Sequence, residues 1–565
     1  MKRPMILSMK KRILMVIASA ALLVWSFPHT DQGWLAWVAL IPSLLAIDGQ
    51  GLKKGFWLGW LFGFTFMFFV GDWFSLFGWE PRLLVALHFG LFQAVFFALW
   101  GWLSARHPGG LSWQRILLPP LLWTALEWLK SQGVLAFQWG FLGYTQYKFP
   151  LLVQLCKITG TFGISFLIVS FSNLLCETFH ALLHWKSQPA REGGSVETPM
   201  EFVRGIPAAL LEMGRHGREF AALRFAWVEF VMIFLLVMVF GRISIPLETK
   251  IGAYEEVFRS PVRVGVVQPN VPQDVKHKSD SILPTLQAVS QETDVLAGQG
   301  ASMVIWPETV ILHSRPLEDP ATSPGITGSA ARNRIYLLTG LIDREKDRYY
   351  NSAFLLGPDG RVVDKYHKMQ LVPMSEYFPL PEKYRKYKLF DRIGNYSHGQ
   401  RQVIFKAPFG SFAALICFES MFDLMSRKAV KDGADFLVVI TNDAWFGKSN
   451  LAKTHFIMGM FRAAENNVWL VQAGNTGISG IIDPWGKPVT MTDIFVKTSF
   501  SGVIYTDIGS GRGTFYTRAG NWFPALCLVI ALCIILASLL QGRKAAGPPP
   551  GGEEGGNRPD PAEEA

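Results

Sequence analysis

The sequence predicts a multi-pass α-helical membrane bundle of about eight spans joined to one outer α/β layered domain. Three observations predict it. Half of the 565 residues are hydrophobic and only 17% are charged, whereas an ordinary soluble domain carries about 25% charged residues. The apolar residues gather into runs at or near the roughly 20 residues that a bilayer requires. One stretch of about 250 residues instead shows short β-branched runs alternating with helical periodicity.

The candidate spans are Ile13 to Phe27, Trp34 to Ile47, Phe56 to Phe77, Leu83 to Ala105, Ile116 to Leu129, Leu151 to Trp185, Phe225 to Phe240 and Asn521 to Leu540. Lys10, Lys11 and Arg12 before the first run also fit a cleaved signal peptide. The apolar segments that follow at once favour a retained first span.

Orientation follows from the basic residues of the short loops. Lys2, Arg3 and Lys10 to Arg12 precede the first span, Lys53 and Lys54 follow the second, Arg106 and Arg115 flank the next inner loop, and Arg543 and Lys544 follow the last. The positive-inside rule then places both termini and the long Lys186 to Arg224 insert in the cytoplasm. The boundaries expected are residues 1–241 for the first seven spans, with the insert at about 186–224, then 242–518 for the outer domain, 519–541 for the last span and 542–565 for a Pro, Gly and Glu-rich disordered tail. The net charge of +10 therefore needs no nucleic-acid partner, and no DNA- or RNA-binding signature accompanies it. Asp72, His88, Gln93, Glu127, Lys157 and Glu229 are the polar residues within or beside spans, and form no proton-relay pattern. The aromatic loop Phe137 to Gln146 is expected at the outer headgroup level.

In the outer domain, Val262 to Val267, Met303 to Trp306, Ile335 to Ile342, Phe412 to Ile416 and Phe436 to Ile440 read as buried strands, with helices around Ser281 to Ala297, Met421 to Lys431 and Thr454 to Asn466. Gly357-Pro-Asp-Gly and Asp483-Pro-Trp-Gly mark hairpins. Four of the five cysteines fall in apolar spans, where cysteine acts as a small hydrophobe. Only Cys417 lies in the outer domain. It follows a strand and precedes a helix, a place where a nucleophile is exposed and the next backbone N–H groups can face an oxyanion. Glu308 in Trp306-Pro307-Glu308, and Lys368 with Glu376 beyond it, also lie where strands meet loops. A base, a cation and a thiol supply the parts of acyl transfer without a metal.

These motifs, together with Lys368 to Glu376-Tyr-Phe-Pro, Ile416-Cys417-Phe418-Glu419 and Thr441-Asn-Asp-Ala-Trp-Phe446-Gly, resemble the nitrilase (carbon-nitrogen hydrolase) superfamily. The whole chain, from the bundle through the Phe137 loop to Tyr516-Thr-Arg-Ala-Gly-Asn, is similar to the apolipoprotein N-acyltransferase family of the bacterial envelope. The resemblance implies an αββα sandwich in the periplasm, carried by the inner membrane. It implies Glu308 as general base, Lys368 as oxyanion-stabilising cation and Cys417 as nucleophile, with no cofactor and no metal. Glu376 is implied as a supporting carboxylate, Glu419 as an assistant on a mobile loop, and the Phe418 amide as an oxyanion donor. The implied acyl donor is a membrane phospholipid and the implied acceptor a diacylglyceryl apolipoprotein. His277 stands where the family usually has Trp, Phe418 where Tyr is common, and Asn467 and Gln472 where Arg is frequent. A membrane-tethered amidase on a soluble substrate would use the same triad. A transporter with a non-catalytic outer domain would require broken helices with inverted symmetry, for which the sequence shows no pattern.

Overall fold

A computed structural model of the chain describes residues 7–107, 112–186, 221–245, 260–379, 385, 394–447, 449–506 and 513–545. The expected insert at about 186–224, apart from its ends, and the tail beyond Ala545 lie outside the described residues. Long helices form at α1 (Met9–Ser26), α2 (Gly51–Val70), α3 (Trp79–Arg106), α4 (Trp113–Lys130), α5 (Phe162–Lys186) and α6 (Ala221–Ser244). Among the described residues, four helical segments are long and apolar enough to cross a membrane: Trp79–Arg106, Phe162–Ala181, Ala221–Ser244 and Trp522–Gln541.

Two expected spans are broken. Trp34 to Ile47 divides into a 3-10 turn and the short helices Ala36–Ala39 and Ile41–Ile47, because Pro42 has no N–H to offer the carbonyl of Val38. Leu151 to Trp185 breaks at Gly160, in the left-handed region at φ 65°, between Cys156–Thr159 and α5. Asp72 lies beyond α2 in the 3-10 turn Asp72–Phe77 and not within a span.

Helices α2 and α3 meet along Gly55, Gly59 and Gly63. A Cβ on Gly63 would stand 2.6 Å from the Gly90 carbonyl oxygen and 2.8 Å from its Cα, so the two backbones touch as small residues at four-residue spacing permit. Inside the bundle, Arg115 is 3% exposed. Its guanidinium donates to Glu177 and, at 2.8 Å, to Asp48. Glu127 accepts from Trp123 Nε1 and from the Leu142 amide, and Lys130 Nζ donates to the Trp139 carbonyl. These groups hold the Phe137 to Gln146 loop, whose Phe137, Trp139, Phe141 and Tyr144 are buried. The loop is a packed socket and not a set of headgroup anchors.

The α/β domain runs β1 (Ser260–Gln268), α7 (Ile282–Gly298), β2 (Met303–Ile305), α8 (Ser323–Asn333), β3 (Tyr336–Glu345), β4 (Arg348–Leu356), β5 (Val362–His367), β6 (Phe405–Ala407), β7 (Gly410–Ile416), α9 (Asp423–Lys431), β8 (Phe436–Thr441), α10 (Leu451–Asn466), β9 (Trp469–Gly474), β10 (Gly480–Ile482), β11 (Pro488–Met491) and β12 (Thr498–Thr506). After it comes α11 (Trp522–Ala545). The strands form two six-stranded sheets, β12-β1-β2-β3-β4-β5 and β11-β10-β9-β8-β7-β6. Pairs β1–β2, β2–β3, β7–β8 and β8–β9 are parallel, and the hairpins at Gly357 and Asp483 are antiparallel.

Alternation sorts each strand into two faces. Val262, Val264 and Val266 pack with Phe412, Ala414, Ile416, Phe436, Val438 and Ile440 between the sheets. Val304, Leu337 and Leu356 face outward onto α7 and α8. Leu415, Leu437 and Val439 face α9 and α10, and this third core is continuous with the buried side chains of the bundle. The order is therefore helix, sheet, sheet, helix, with one helical layer shared with the apolar bundle.

Replacing Gly63 by Leu is expected to lower the thermal midpoint in detergent, with an overpacking cost of about 1–3 kcal/mol. Gly298→Ala, where a Cβ meets nothing within 4 Å, should leave the midpoint unchanged; differential scanning fluorimetry of both variants checks this.

Candidate active site

Two strand ends and one turn deliver the charged residues to one place. β2 runs into Trp306-Pro307-Glu308; Trp306 is fully buried and its Nε1 donates to Thr293 Oγ1 at 2.8 Å. Gly340 lets this loop lie against β3, since a Cβ there would be 2.6 Å from Glu308 Cα. β5 ends at His367 and presents Lys368, whose amide donates to the Asn351 carbonyl on β4. The turn from Leu371 to Tyr377 returns Glu376 to the same point, with the Val372 amide donating to Glu376 Oε2 at 2.8 Å.

The Lys368 ammonium, 1% exposed, sits 3.3 Å from Glu308 Oε1, 3.0 Å from Glu376 Oε1 and 2.9 Å from Glu376 Oε2. Asn351 Nδ2 closes the ring, donating to Glu308 Oε1 at 2.6 Å and Glu376 Oε1 at 2.9 Å. Glu308 Oε2 accepts from the Asn442 amide at 2.9 Å. Burial pushes the Lys368 ammonium toward its neutral form, but Glu308 and Glu376 outweigh burial and hold its pKa above the ordinary lysine value.

Cys417 closes β7 in the left-handed region, at φ 51°, and opens the 3-10 turn Cys417–Met421. It is 7% exposed. Burial, then the Glu308 charge, pushes the thiol well above its usual pKa; Lys368 and a Thr441 side-chain hydrogen bond oppose this. The resting group is thus a thiol with a carboxylate and an ammonium in its field, and a proton acceptor must act for it to become a nucleophile. Phe418 is the second residue of the turn, where N–H groups lack intrahelical acceptors; its ring packs edge-on to Phe422 at 4.9 Å.

Glu419 is placed otherwise than expected. It is fully buried. Its Oε1 accepts from Tyr366 Oη at 2.7 Å and from the Met369 and Gln370 amides at 2.6 and 3.0 Å, and its Oε2 accepts from the Ile416 amide at 2.8 Å. Four donors fix this carboxylate behind the site as a staple between the ends of β5 and β7, which corrects the expectation of a mobile loop. Burial raises its pKa while these donors oppose the rise.

Lys276, in the short helix Gln273–Lys276, is a second buried ammonium that donates to the Glu308 carbonyl at 3.3 Å and Thr309 Oγ1 at 3.1 Å. Burial, partly offset by Glu308, pushes its pKa down to about 7. His277 Nε2 lies 3.1 Å from Gln273 Nε2. Asn467 caps α10 at φ 53°, a conformation that suits asparagine. Gln472 Nε2 donates to the Ile478 carbonyl within the sheet region. The structure thus brings Glu308, Lys368, Glu376 and Cys417 together, and engages Glu419 and Gln472 with backbone groups and Asn467 in the cap of α10. The sequence reading missed Asn351, whose only signal is a polar side chain at a buried strand position, and gave no role to Asn442, which follows β8 within the Thr441 to Gly447 motif. Asp343, Glu345 and His367 also cluster within 4.8 Å, but Lys365 Nζ already sits 2.6 Å from Asp343 and 2.7 Å from Glu345.

A buried carboxylate–ammonium–carboxylate group beside a strand-end thiol, on paired six-stranded sheets, defines a carbon-nitrogen hydrolase type of domain. The carbon-nitrogen hydrolase family model matches residues 263–516, and the family model for the apolipoprotein N-acyltransferase N-terminal domain matches residues 19–174. Apolipoprotein N-acyltransferase from Geobacter metallireducens is 31% identical over 553 residues, covering 95% of this chain and 96% of its own length. The Thermotoga maritima enzyme of that name is 28% identical, covering 94% of each chain. Among solved structures, an amidase from Nesterenkonia sp. AN1 in complex with acrylamide aligns at 19% identity with a TM-score of 0.34, covering 43% of this chain and 90% of that one. The chain belongs to the apolipoprotein N-acyltransferase family.

The pKa of Lys276 falls from the ordinary lysine value of 10.5 to about 7 in the fold. Between these values the unfolded chain holds a proton that the folded chain has released, so stability rises with pH across that window and the cost of burial is felt in full below it. Lys276→Met is therefore expected to raise the thermal midpoint at pH 6 and to raise it less at pH 9, as thermal melts at the two pH values would measure.

Proposed function

We propose that this chain is an apolipoprotein N-acyltransferase that moves an acyl chain from a membrane phospholipid, through a thioester on Cys417, to the N-terminal amine of a diacylglyceryl-cysteine. The observation that carries the reading is the ring of Glu308, Lys368, Glu376 and Asn351 beside a buried thiol, in a domain whose helical layer shares a core with an apolar bundle.

In the first half-reaction Glu308 takes the Sγ proton and the thiolate attacks the ester carbonyl. The Lys368 ammonium and the Phe418 N–H stabilise the resulting oxyanion. The intermediate collapses, the C–O bond breaks, and the proton on Glu308 passes to the departing lysophospholipid oxygen. In the second half-reaction Glu308 takes a proton from the acceptor amine, the C–N bond forms, and the thiolate leaves and regains its proton. Glu376 and Asn351 hold Lys368 and Glu308 throughout. No step calls on a cofactor or a metal.

An apolar bundle suits two substrates anchored by acyl chains, because each buried CH2 contributes about 0.8 kcal/mol to holding them in lipid. Helices at all eight candidate positions, two of them broken, and the basic inner loops support eight crossings. On this reading both termini face the cytoplasm, residues 242–518 form the periplasmic catalytic domain, residues 1–241 and 519–541 carry the crossings in the inner membrane, and 542–565 form a cytoplasmic tail.

Intact-mass measurement after incubation with phospholipid tests this directly. An acyl-sized increase on Cys417, discharged by a diacylglyceryl lipopeptide, is expected. Hydrolysis of small amides without any acyl adduct would instead make the protein a tethered amidase. Lys368→Met should slow adduct formation by at least about 100-fold, and Cys417→Ala should abolish N-acylation of the lipopeptide.

A further inference from the structure

Cys417 holds a backbone conformation that costs a non-glycine residue about 1–3 kcal/mol, so neighbouring groups must enforce it. Its carbonyl accepts from Ser420 Oγ at 2.9 Å and lies 3.1 Å from His455 Nε2. Ser420 Oγ and His455 Nε2 are 2.7 Å apart. On the other side of the ring, His455 Nδ1 lies 3.1 Å from Asp443 Oδ1, which also accepts from Thr441 Oγ1 at 2.8 Å. Ser420 and His455 are fully buried and Asp443 is 1% exposed.

A carboxylate can only accept, so Nδ1 donates to Asp443 and the ring is pinned with Nε2 toward the Cys417 turn; with the Ser420 O–H directed at the Cys417 carbonyl, Nε2 donates to that carbonyl as well only in the ring form that carries protons on both nitrogens. The three residues come from three elements: the turn after β7, the 3-10 turn after β8, and α10. Their order of carboxylate, imidazole and hydroxyl is that of a serine hydrolase. Here the hydroxyl has no exposed surface and is directed at a backbone carbonyl, so it does not act as a nucleophile. What the set does touch is the peptide unit between Cys417 and Phe418, which carries both the Cys417 carbonyl and the Phe418 N–H.

We propose that Asp443, His455 and Ser420 form a buried positioning relay that clamps the Cys417–Phe418 peptide, aiming the thiol and the Phe418 N–H at the same substrate carbonyl. These are positioning residues, and the proposal rests on Cys417 being the acylated thiol. The relay enters the reaction by geometry alone: when the peptide plane turns, sulfur and oxyanion donor lose alignment together, and a displacement of about 1 Å can cost about 100-fold in rate.

The test uses the full-length protein in detergent with phospholipid, following the single-turnover rate of acyl adduct formation on Cys417 by intact mass against lipid concentration. His455→Asn keeps a polar group toward Asp443 but withdraws from the Cys417 carbonyl. His455→Gln keeps an N–H in the region of Nε2. The expected result is a maximal acylation rate about 100-fold lower in His455→Asn and within about tenfold of wild type in His455→Gln, with the lipid concentration at half-maximal rate unchanged in both. Ser420→Ala, which removes a single oxygen, should lower the maximal rate with the same unchanged half-saturation, and stands in should a His455 variant fail to fold. Wild-type rates in both His455→Asn and Ser420→Ala would overturn the relay. So would equal losses in the Asn and Gln variants, which would signify general damage. Absence of an adduct on Cys417 in the wild-type protein would overturn the nucleophile assignment, and the relay with it.

Discussion

The Lys368 ammonium is almost wholly shut off from water, and a charge in that position is tolerated only if it is paired and hydrogen-bonded. Glu308 and Glu376 supply the pairing and Asn351 ties the two carboxylates to each other. Removing one member of such a group costs about 3–5 kcal/mol, because it strands the charge that remains. Much of the local architecture answers to that constraint. Trp306 is locked into the core so that the next residues turn toward the lysine, Gly340 gives way to the Glu308 loop, and the Leu371 to Tyr377 turn is wound tightly enough for Glu376 to reach back. The Glu419 staple then fixes the end of β5 against the end of β7, which sets the distance between the ammonium and the thiol. The same group that would stabilise charge in the reaction thus sets the geometry of the resting site.

The elements legible in the sequence are those whose signal is local. The runs Val262 to Val267, Phe412 to Ile416 and Phe436 to Ile440 sit within β1, β7 and β8, because short runs dominated by β-branched and other apolar residues between turn formers have few alternatives to a buried strand. The Gly357 and Asp483 turns close hairpins as their composition requires. Helices were legible as apolar runs, and four helical segments among the described residues are long and apolar enough to cross a membrane, but two breaks were not legible: Pro42 and Gly160 interrupt helices inside runs that are apolar on both sides of the break. That Glu308, Lys368, Glu376 and Cys417 would gather was legible because they lie at strand ends, or in the turn beyond one, within recognisable motifs.

What escaped the sequence depends on contacts far along the chain. Asn351 reaches Glu308 across 43 positions, and nothing in Tyr349-Tyr350-Asn351-Ser352 distinguishes an inward amide from a strand residue facing water. His455 sits in a helix whose pattern reads as apolar, 38 positions from the carbonyl it approaches. Glu419 was noticed for its nearness to Cys417, but its carboxylate turns away and spends its acceptors on backbone amides, a direction that spacing does not encode. The Phe137 loop was misplaced for the same reason. Its aromatic composition suits a headgroup belt as well as it suits the socket it forms.

Of the sixteen residues of α10, only Lys453 retains appreciable exposure, and it donates to Asp31 in the loop after α1. One turn of the helix meets the Cys417 carbonyl through His455. Further along, Arg462 donates to Tyr144 of the bundle loop and Glu465 accepts from Thr161. A helix with no solvent face has no side on which sequence can drift freely. The division drawn near residue 242 is therefore a boundary in chain order and not in packing. The catalytic part was not fitted to a generic anchor: it is finished only when the bundle supplies the other half of its helical layer, and neither part is a module that could be exchanged without the other.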